Sequence, residues 1–147
     1  MSTEKQLGED SRVRVRIKVS VHGKERFFGP GICELLENID AEGSIQAAAA
    51  RMNMSYSKAW KILNRAEQEM NDILITRVNG GKNGGSSALT EKGRRAVAAY
   101  REMEAKLAMQ SEQIFRDYMS VFDPAAGKLA VQETSHFVIQ ETPHQTE

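Results

Sequence analysis

A mainly α fold with a small β component is what this sequence predicts, and three observations predict it. Residues 12–21 alternate strictly between apolar and polar side chains; two short helical patterns follow one another across a three-residue break; and one amphipathic pattern runs from Thr90 to Phe122. With 147 residues, the chain has room for one domain plus a tail or an extra helix.

Residues 1–11 are polar and mixed in charge, and are expected to be disordered. From Arg12 to Val21, Val13, Val15, Ile17, Val19 and Val21 fall on one face and Arg12, Arg14, Arg16, Lys18 and Ser20 on the other. Period two in β-branched residues predicts a half-buried strand. His22-Gly23 supplies a turn, and residues 25–28 return as a short partner, which makes an N-terminal β-hairpin. The basic face of the strand reads first as a deterrent to edge-to-edge pairing, and second as a contact to DNA. Gly29-Pro30-Gly31 breaks the strand; Ile32, Leu35, Leu36 and Ile39 then predict a helix that stops at Glu42-Gly43. Cys33 lies beside that apolar stripe with no basic neighbour in sequence to favour its thiolate, so it reads as a packing residue.

Ser44 is a good N-cap, and the alanine-rich run from Ile45 to Arg51 favours helix strongly. Met52-Asn53-Met54 interrupts it, and Ser55 caps a second helix reaching about Glu69. Two short helices joined this way make a helix-turn-helix, with the alanines at 47–50 allowing close approach. Ile73 to Val78 reads as a strand, residues 79–87 as a glycine-rich loop, and Ala88-Leu89 as the return: a wing. This loop is not a phosphate-cradling P-loop, since it lacks the Lys-Ser/Thr pair and joins strand to strand. Thr90 caps the last helix, whose stripe holds Val97, Tyr100, Met103, Leu107, Ile114, Tyr118 and Phe122 before Asp123-Pro124 ends it. So long an amphipathic helix exceeds what one small domain can cover. Tyr100, Met103, Leu107, Ile114, Tyr118 and Phe122 are therefore expected to pair with a second copy, giving a homodimer. The expected organisation is a winged helix-turn-helix over 12–89, a dimerisation helix over 90–123 and a mostly flexible tail over 124–147.

Composition narrows the function. No apolar run approaches the roughly 20 residues that span a bilayer, and the N-terminal residues contain no signal-peptide core. A lone cysteine fits a reducing compartment, so a cytoplasmic location is expected. His22, His136 and His144 are scattered, Cys33 stands alone, and no carboxylate pair is set against a nucleophile; neither an enzyme, a metal site nor a cofactor is expected. The 20 basic and 20 acidic residues cancel, but phosphates sense distribution rather than the sum. Residues 12–26 hold six basic side chains against Glu25, and residues 55–95 hold eight against four acidic ones. A basic face is permitted.

On a helical wheel Ala59, Ile62, Leu63, Ala66 and Met70 form the inward face of the second helix of the pair. Ser57, Lys61, Asn64 and Gln68 then face outward, flanked by Lys58 and Arg65. Lysine can donate to guanine O6 and N7 and asparagine can pair with adenine, whereas Lys58 and Arg65 are better placed for phosphates. The turn before this helix and the glycine-rich hairpin after it favour a double-stranded DNA surface over a merely solvated face. Trp60 lies between the inward and outward faces and either wedges between helices or reaches DNA. Ser44 and Ser55 at the caps, Tyr56, and Lys82 and Asn83 on the wing complete the candidate contacts. A winged helix used only to bind protein is the alternative; steep salt dependence would separate the two.

These motifs resemble the DNA-binding domain of the molybdate-responsive regulator family (ModE), itself related to the LysR-type winged helix. The likeness is carried by Gly43-Ser44-Ile45, Ser55-Tyr56, Ala59-Trp60, Asn64, Gly80-Gly81-Lys82, Gly84-Gly85, Leu89-Thr90 and Gly93, with Phe28-Gly29-Pro30-Gly31 ahead of them. It covers roughly residues 12–120. The resemblance implies a transcriptional regulator, with Tyr56, Ser57, Trp60 and Lys61 near the bases at the start of the recognition helix. There are departures: Asn83 sits among the wing glycines, Ser86-Ser87 replace further glycine, and Lys61 stands where the family commonly has an acidic residue. The 24 residues after Asp123 are too few for the family's oxyanion-binding module, so no molybdate site is expected in this chain.

Overall fold

The structure, a computed structural model, describes residues 13–78 and 85–125. The described elements are β1 (Val21–His22), β2 (Arg26–Phe28), α1 (Pro30–Glu42), α2 (Ile45–Arg51), α3 (Tyr56–Met70), β3 (Ile75–Val78), β4 (Ser86–Leu89) and α4 (Glu91–Phe122). Contacts group residues 17–107 into one unit and the described residues 13–16 with 108–125 into another.

In the larger unit α1 is the hub. Pro30 opens it, where a missing N–H costs nothing. Cys33, Leu35, Leu36 and Ile39 are fully enclosed by α2, α3, β2 and β4. Gly43 ends the helix at φ +72° and donates its N–H to the Ile39 carbonyl, a left-handed conformation that glycine adopts without steric cost. Ser44 and Ser55 cap as expected: each Oγ accepts the N–H three residues on, from Ala47 and from Lys58, at 3.1 Å. Between them Asn53 takes φ +55°, and the chain turns from α2 into α3. Ala48 and Ala49 of α2 and Ala59 and Ala66 of α3 are buried, whereas Ala50 is exposed.

The first hairpin is shorter than the alternation predicts. Val21 pairs with Phe28 and His22 with Arg26. Extending the ladder toward residue 12 would require a partner strand beyond Phe28, but Gly29 and Pro30 already begin α1. Residues 13–20 therefore form no ladder, and the Val19 carbonyl instead accepts the Tyr100 hydroxyl at 2.8 Å. Tyr100 packs on Phe28 at 5.4 Å between ring centroids and is buried. Its expected place in an intersubunit stripe is thus corrected: it belongs to the core of its own domain, and burial raises its hydroxyl pKa above the ordinary tyrosine value. Cys33 is buried as expected; desolvation, opposed by the nearby Arg101, pushes its thiol up to about 11.

The wing strands pair in register from Ile75↔Leu89 to Val78↔Ser86, so Ser86 and Ser87 lie in strand rather than in loop. Residues 79–84 of the wing, with Lys82 and Asn83, lie outside the described residues, as do residues 1–12 and 126–147. At the wing base Thr90 donates its N–H to the Leu74 carbonyl at 2.9 Å and its hydroxyl to the Ile73 carbonyl at 2.6 Å. The same hydroxyl accepts the Gly93 N–H at 3.0 Å, capping α4. A Cβ on Gly93 would collide with the Leu74 carbonyl oxygen. Since backbone sits on both sides of that contact, Gly93→Ala should destabilise the domain by ~1–3 kcal/mol, read as a lower midpoint in urea with unchanged slope; an unchanged midpoint would show that α4 can lift off β3 freely.

Candidate nucleic-acid interface

Helix α3 sorts its side chains as the wheel predicts. Ala59, Leu63 and Ala66 are buried, with Ile62 and Met70 packed against them. Ser57, Lys58, Lys61, Asn64, Arg65 and Gln68 are exposed. The outward face thus offers hydroxyl, ammonium, amide and guanidinium groups from a rigid, doubly capped helix. Asn71, at φ +50°, caps its C-terminal end.

Trp60 packs against the core cluster from the edge of α3. It is half-buried, in a T-shaped pair with Tyr56 at 6.0 Å between ring centroids and with the Arg77 guanidinium 3.3 Å from its own centroid. Arg77 comes from β3, so a cation–π contact joins the wing to the start of α3. The same guanidinium lies 3.9 Å from Glu67. That carboxylate also accepts the Leu74 N–H at 3.2 Å, which fixes where β3 begins.

A cleft of about 350 Å³ opens between the N-terminal ends of α2 and α3 and the wing. Ser44, Gln46, Tyr56, Trp60, Arg77, Ser86 and Ser87 line it. The wing is held over it by the Ser87 N–H, which donates to the Gly43 carbonyl at 2.8 Å. A second, shallow cleft beside the outer part of α3 holds Lys61, Asn64, Arg65 and Gln68. Of the sequence-predicted contacts, then, Ser44, Tyr56 and Trp60 gather at the first cleft and Lys61, Asn64 and Arg65 at the second. Ser55 is engaged as the cap of α3, and Ser57 and Lys58 are exposed on its first turn.

Sequence reasoning missed Arg77, Gln46, Ser86 and Ser87. Arg77 is legible as a basic residue in a strand, but its seat on Trp60 depends on how β3 crosses α3. The two serines read as loop only because glycines precede them. Glu25, expected at the start of the returning strand, lies instead in the β1–β2 turn, where it meets Arg65 at 3.5 Å.

Residues 33–94 match the bacterial regulatory helix-turn-helix protein, lysR family. The chain is 44% identical over 70 residues to molybdenum transport protein ModE of Azotobacter vinelandii, covering 48% of this chain and 26% of that protein. It is 33% identical over 91 residues to the DNA-binding transcriptional dual regulator ModE of Escherichia coli (strain K12), covering 62% and 34% respectively. The molybdenum-pterin-binding protein MopB of Rhodobacter capsulatus is 34% identical over 111 residues, 73% of this chain and 39% of that protein. The chain therefore spans only 26% to 39% of the length of these relatives.

Trp60 is the chain's only tryptophan, so its emission reports the wing–helix junction directly. Removing the guanidinium that covers its ring, by Arg77→Ala, should shift the emission to longer wavelength and make it more readily quenched by acrylamide. The accompanying loss of stability should be about 0.5–1 kcal/mol, as for a partly exposed cation–π pair. Unchanged emission would mean that Arg77 does not cover the ring.

Proposed function

We propose that the protein, whose residues 33–94 match the bacterial regulatory helix-turn-helix of the lysR family, is a sequence-specific transcriptional regulator that binds double-stranded DNA as a homodimer and serves molybdate or related oxyanion metabolism. The observation that carries this reading is the outward face of α3. Ser57, Lys61, Asn64 and Gln68 stand opposite the buried Ala59, Leu63 and Ala66. On this reading α3 enters the major groove, where Lys61 and Asn64 can address base edges. Lys58, Arg65 and Arg77 take phosphates, and the wing, with Lys82 and Asn83, lies along the adjacent backbone. The link to molybdenum rests on the names of the relatives whose helix-turn-helix region this chain shares.

The homodimer is supported by α4. Its outer residues Ile114, Tyr118, Val121 and Phe122 are between 59% and 77% exposed, with Met103 and Leu107 at 37%. Apolar surface at helical spacing on one element is what a two-fold partner would cover.

Two measurements test the reading. Affinity for duplex DNA should fall steeply with added salt, and Lys61→Ala and Asn64→Ala should each lower discrimination between selected and random sequences by ~1–3 kcal/mol. Lys58→Ala should weaken binding to both alike and flatten the salt slope by about one unit. Equal losses from all three would move the readout to another face, and absence of salt-dependent binding to any duplex would overturn the reading. Separately, the full chain at tens of micromolar should sediment as a dimer, and Ile114→Glu with Tyr118→Glu should convert it to a monomer with much weaker operator affinity, as two half-sites cease to act together. A monomer before substitution would overturn the proposed assembly.

A further inference from the structure

Beside the outward face of α3 stands a carboxylate that comes from the β1–β2 turn rather than from the helix. The β1–β2 turn brings Glu25 beside Arg65, with 3.5 Å between carboxylate and guanidinium, and both side chains are exposed, at 68% and 58%. Glu25 lines the same shallow cleft as Lys61, Asn64 and Gln68. Two other glutamates near α3 have structural work: Glu69 accepts the Lys24 N–H at 3.3 Å, and Glu67 accepts the Leu74 N–H at 3.2 Å. Among the described residues the Glu25 side chain pairs with Arg65, and so exposed a pair contributes little to folding.

Its place matters for a polyanion. A carboxylate beside Lys61 and Asn64 lies within a Debye length, about 8–10 Å, of any phosphate those side chains approach. It neutralises the guanidinium best placed for a phosphate and adds a repulsive charge of its own. Random-sequence DNA is held almost entirely by phosphate contacts, and a complex without fixed register can shift to exploit each free cation. A complex whose register is set by base contacts has less freedom to do so.

We propose that Glu25 is a specificity-determining residue of the DNA interface: by occupying Arg65 and repelling phosphates, it weakens binding to random duplex more than binding to the operator. The proposal rests on the DNA-binding reading above and adds to it a restraint supplied by the hairpin rather than by the recognition helix.

The test uses the full chain, with fluorescence anisotropy on a random duplex and on a duplex recovered by selection, over a range of salt. Glu25→Gln should tighten random-duplex binding roughly fivefold at moderate salt and steepen its salt slope by about one, with less than about twofold change on the selected duplex. Glu102→Gln removes the same charge on α4, where Glu102 pairs with Lys106 at 2.9 Å, and should change neither affinity. Glu25→Gln behaving like the unsubstituted protein, or both variants tightening binding equally, would overturn the proposal. So would loss of selected-duplex affinity with random binding unchanged, which would make Glu25 a base reader. If the unsubstituted chain binds neither duplex, the DNA reading fails first and takes this proposal with it; the variant's behaviour is read only where the parent binds.

Discussion

The fold turns on the packing of α1, α2 and α3 against one another, which buries small side chains among larger ones. Ala48 and Ala49 on α2, and Ala59 and Ala66 on α3, are essentially inaccessible, while Leu35, Leu36 and Ile39 of α1 fill the space around them. A larger residue at any of these alanines would force off-rotamer side chains or push a helix outward, at a typical cost of ~1–3 kcal/mol. The direction of the α3 outward face follows from this packing, because a helix held along its inner side cannot roll. The chemistry of Lys61 and Asn64 is thus aimed by residues that have no chemistry of their own.

The wing is tied down by backbone hydrogen bonds as well as by the buried side chains of Ile75 and Leu89. The Ser87 N–H bonds to the Gly43 carbonyl, at the junction of α1 and α2, and the Thr90 N–H bonds to the Leu74 carbonyl at the start of α4. Gly93 lets α4 press directly on Leu74. Arg77, held between Trp60 and Glu67, then couples the wing to α3. A surface assembled from separate elements gains pre-organisation from such ties, since fewer groups must be ordered when a partner binds.

Charge is arranged in the same spirit. The chain is formally neutral, yet several of its cations are met by a carboxylate: Arg51 by Glu42, Arg65 by Glu25, Arg77 by Glu67, and Arg101 by Glu37 and Glu104. The Arg101 cluster joins α4 to α1, and its hydrogen bonds to Glu37 hold the guanidinium pKa above its ordinary value. Pairs of that kind orient helices. The Glu25–Arg65 pair is instead exposed, at a shallow cleft shared with Lys61 and Asn64.

Much of the fold was legible because its signals are local. Caps at Ser44, Ser55 and Thr90, the stop at Gly43, the break at Met52 to Met54 and the inward face of α3 all depend on neighbours within a turn or two, and backbone hydrogen bonding enforces them. The long strand over residues 12–21 was misread because alternation specifies a face but not a partner, and Pro30 removes the partner. Tyr100 was misassigned for a related reason: its place on the helix stripe is local, while its burial against Phe28 and Val19 is not. Sequence by itself determined that two capped helices, a wing and a long amphipathic helix would form, and which side of α3 would face solvent. Tertiary structure alone decided that Arg77 covers Trp60, that Ser87 ties the wing to Gly43, and that Glu25 confronts Arg65. Those contacts join residues distant in the chain, and their geometry exists only once the core has set the angles between the elements that carry them.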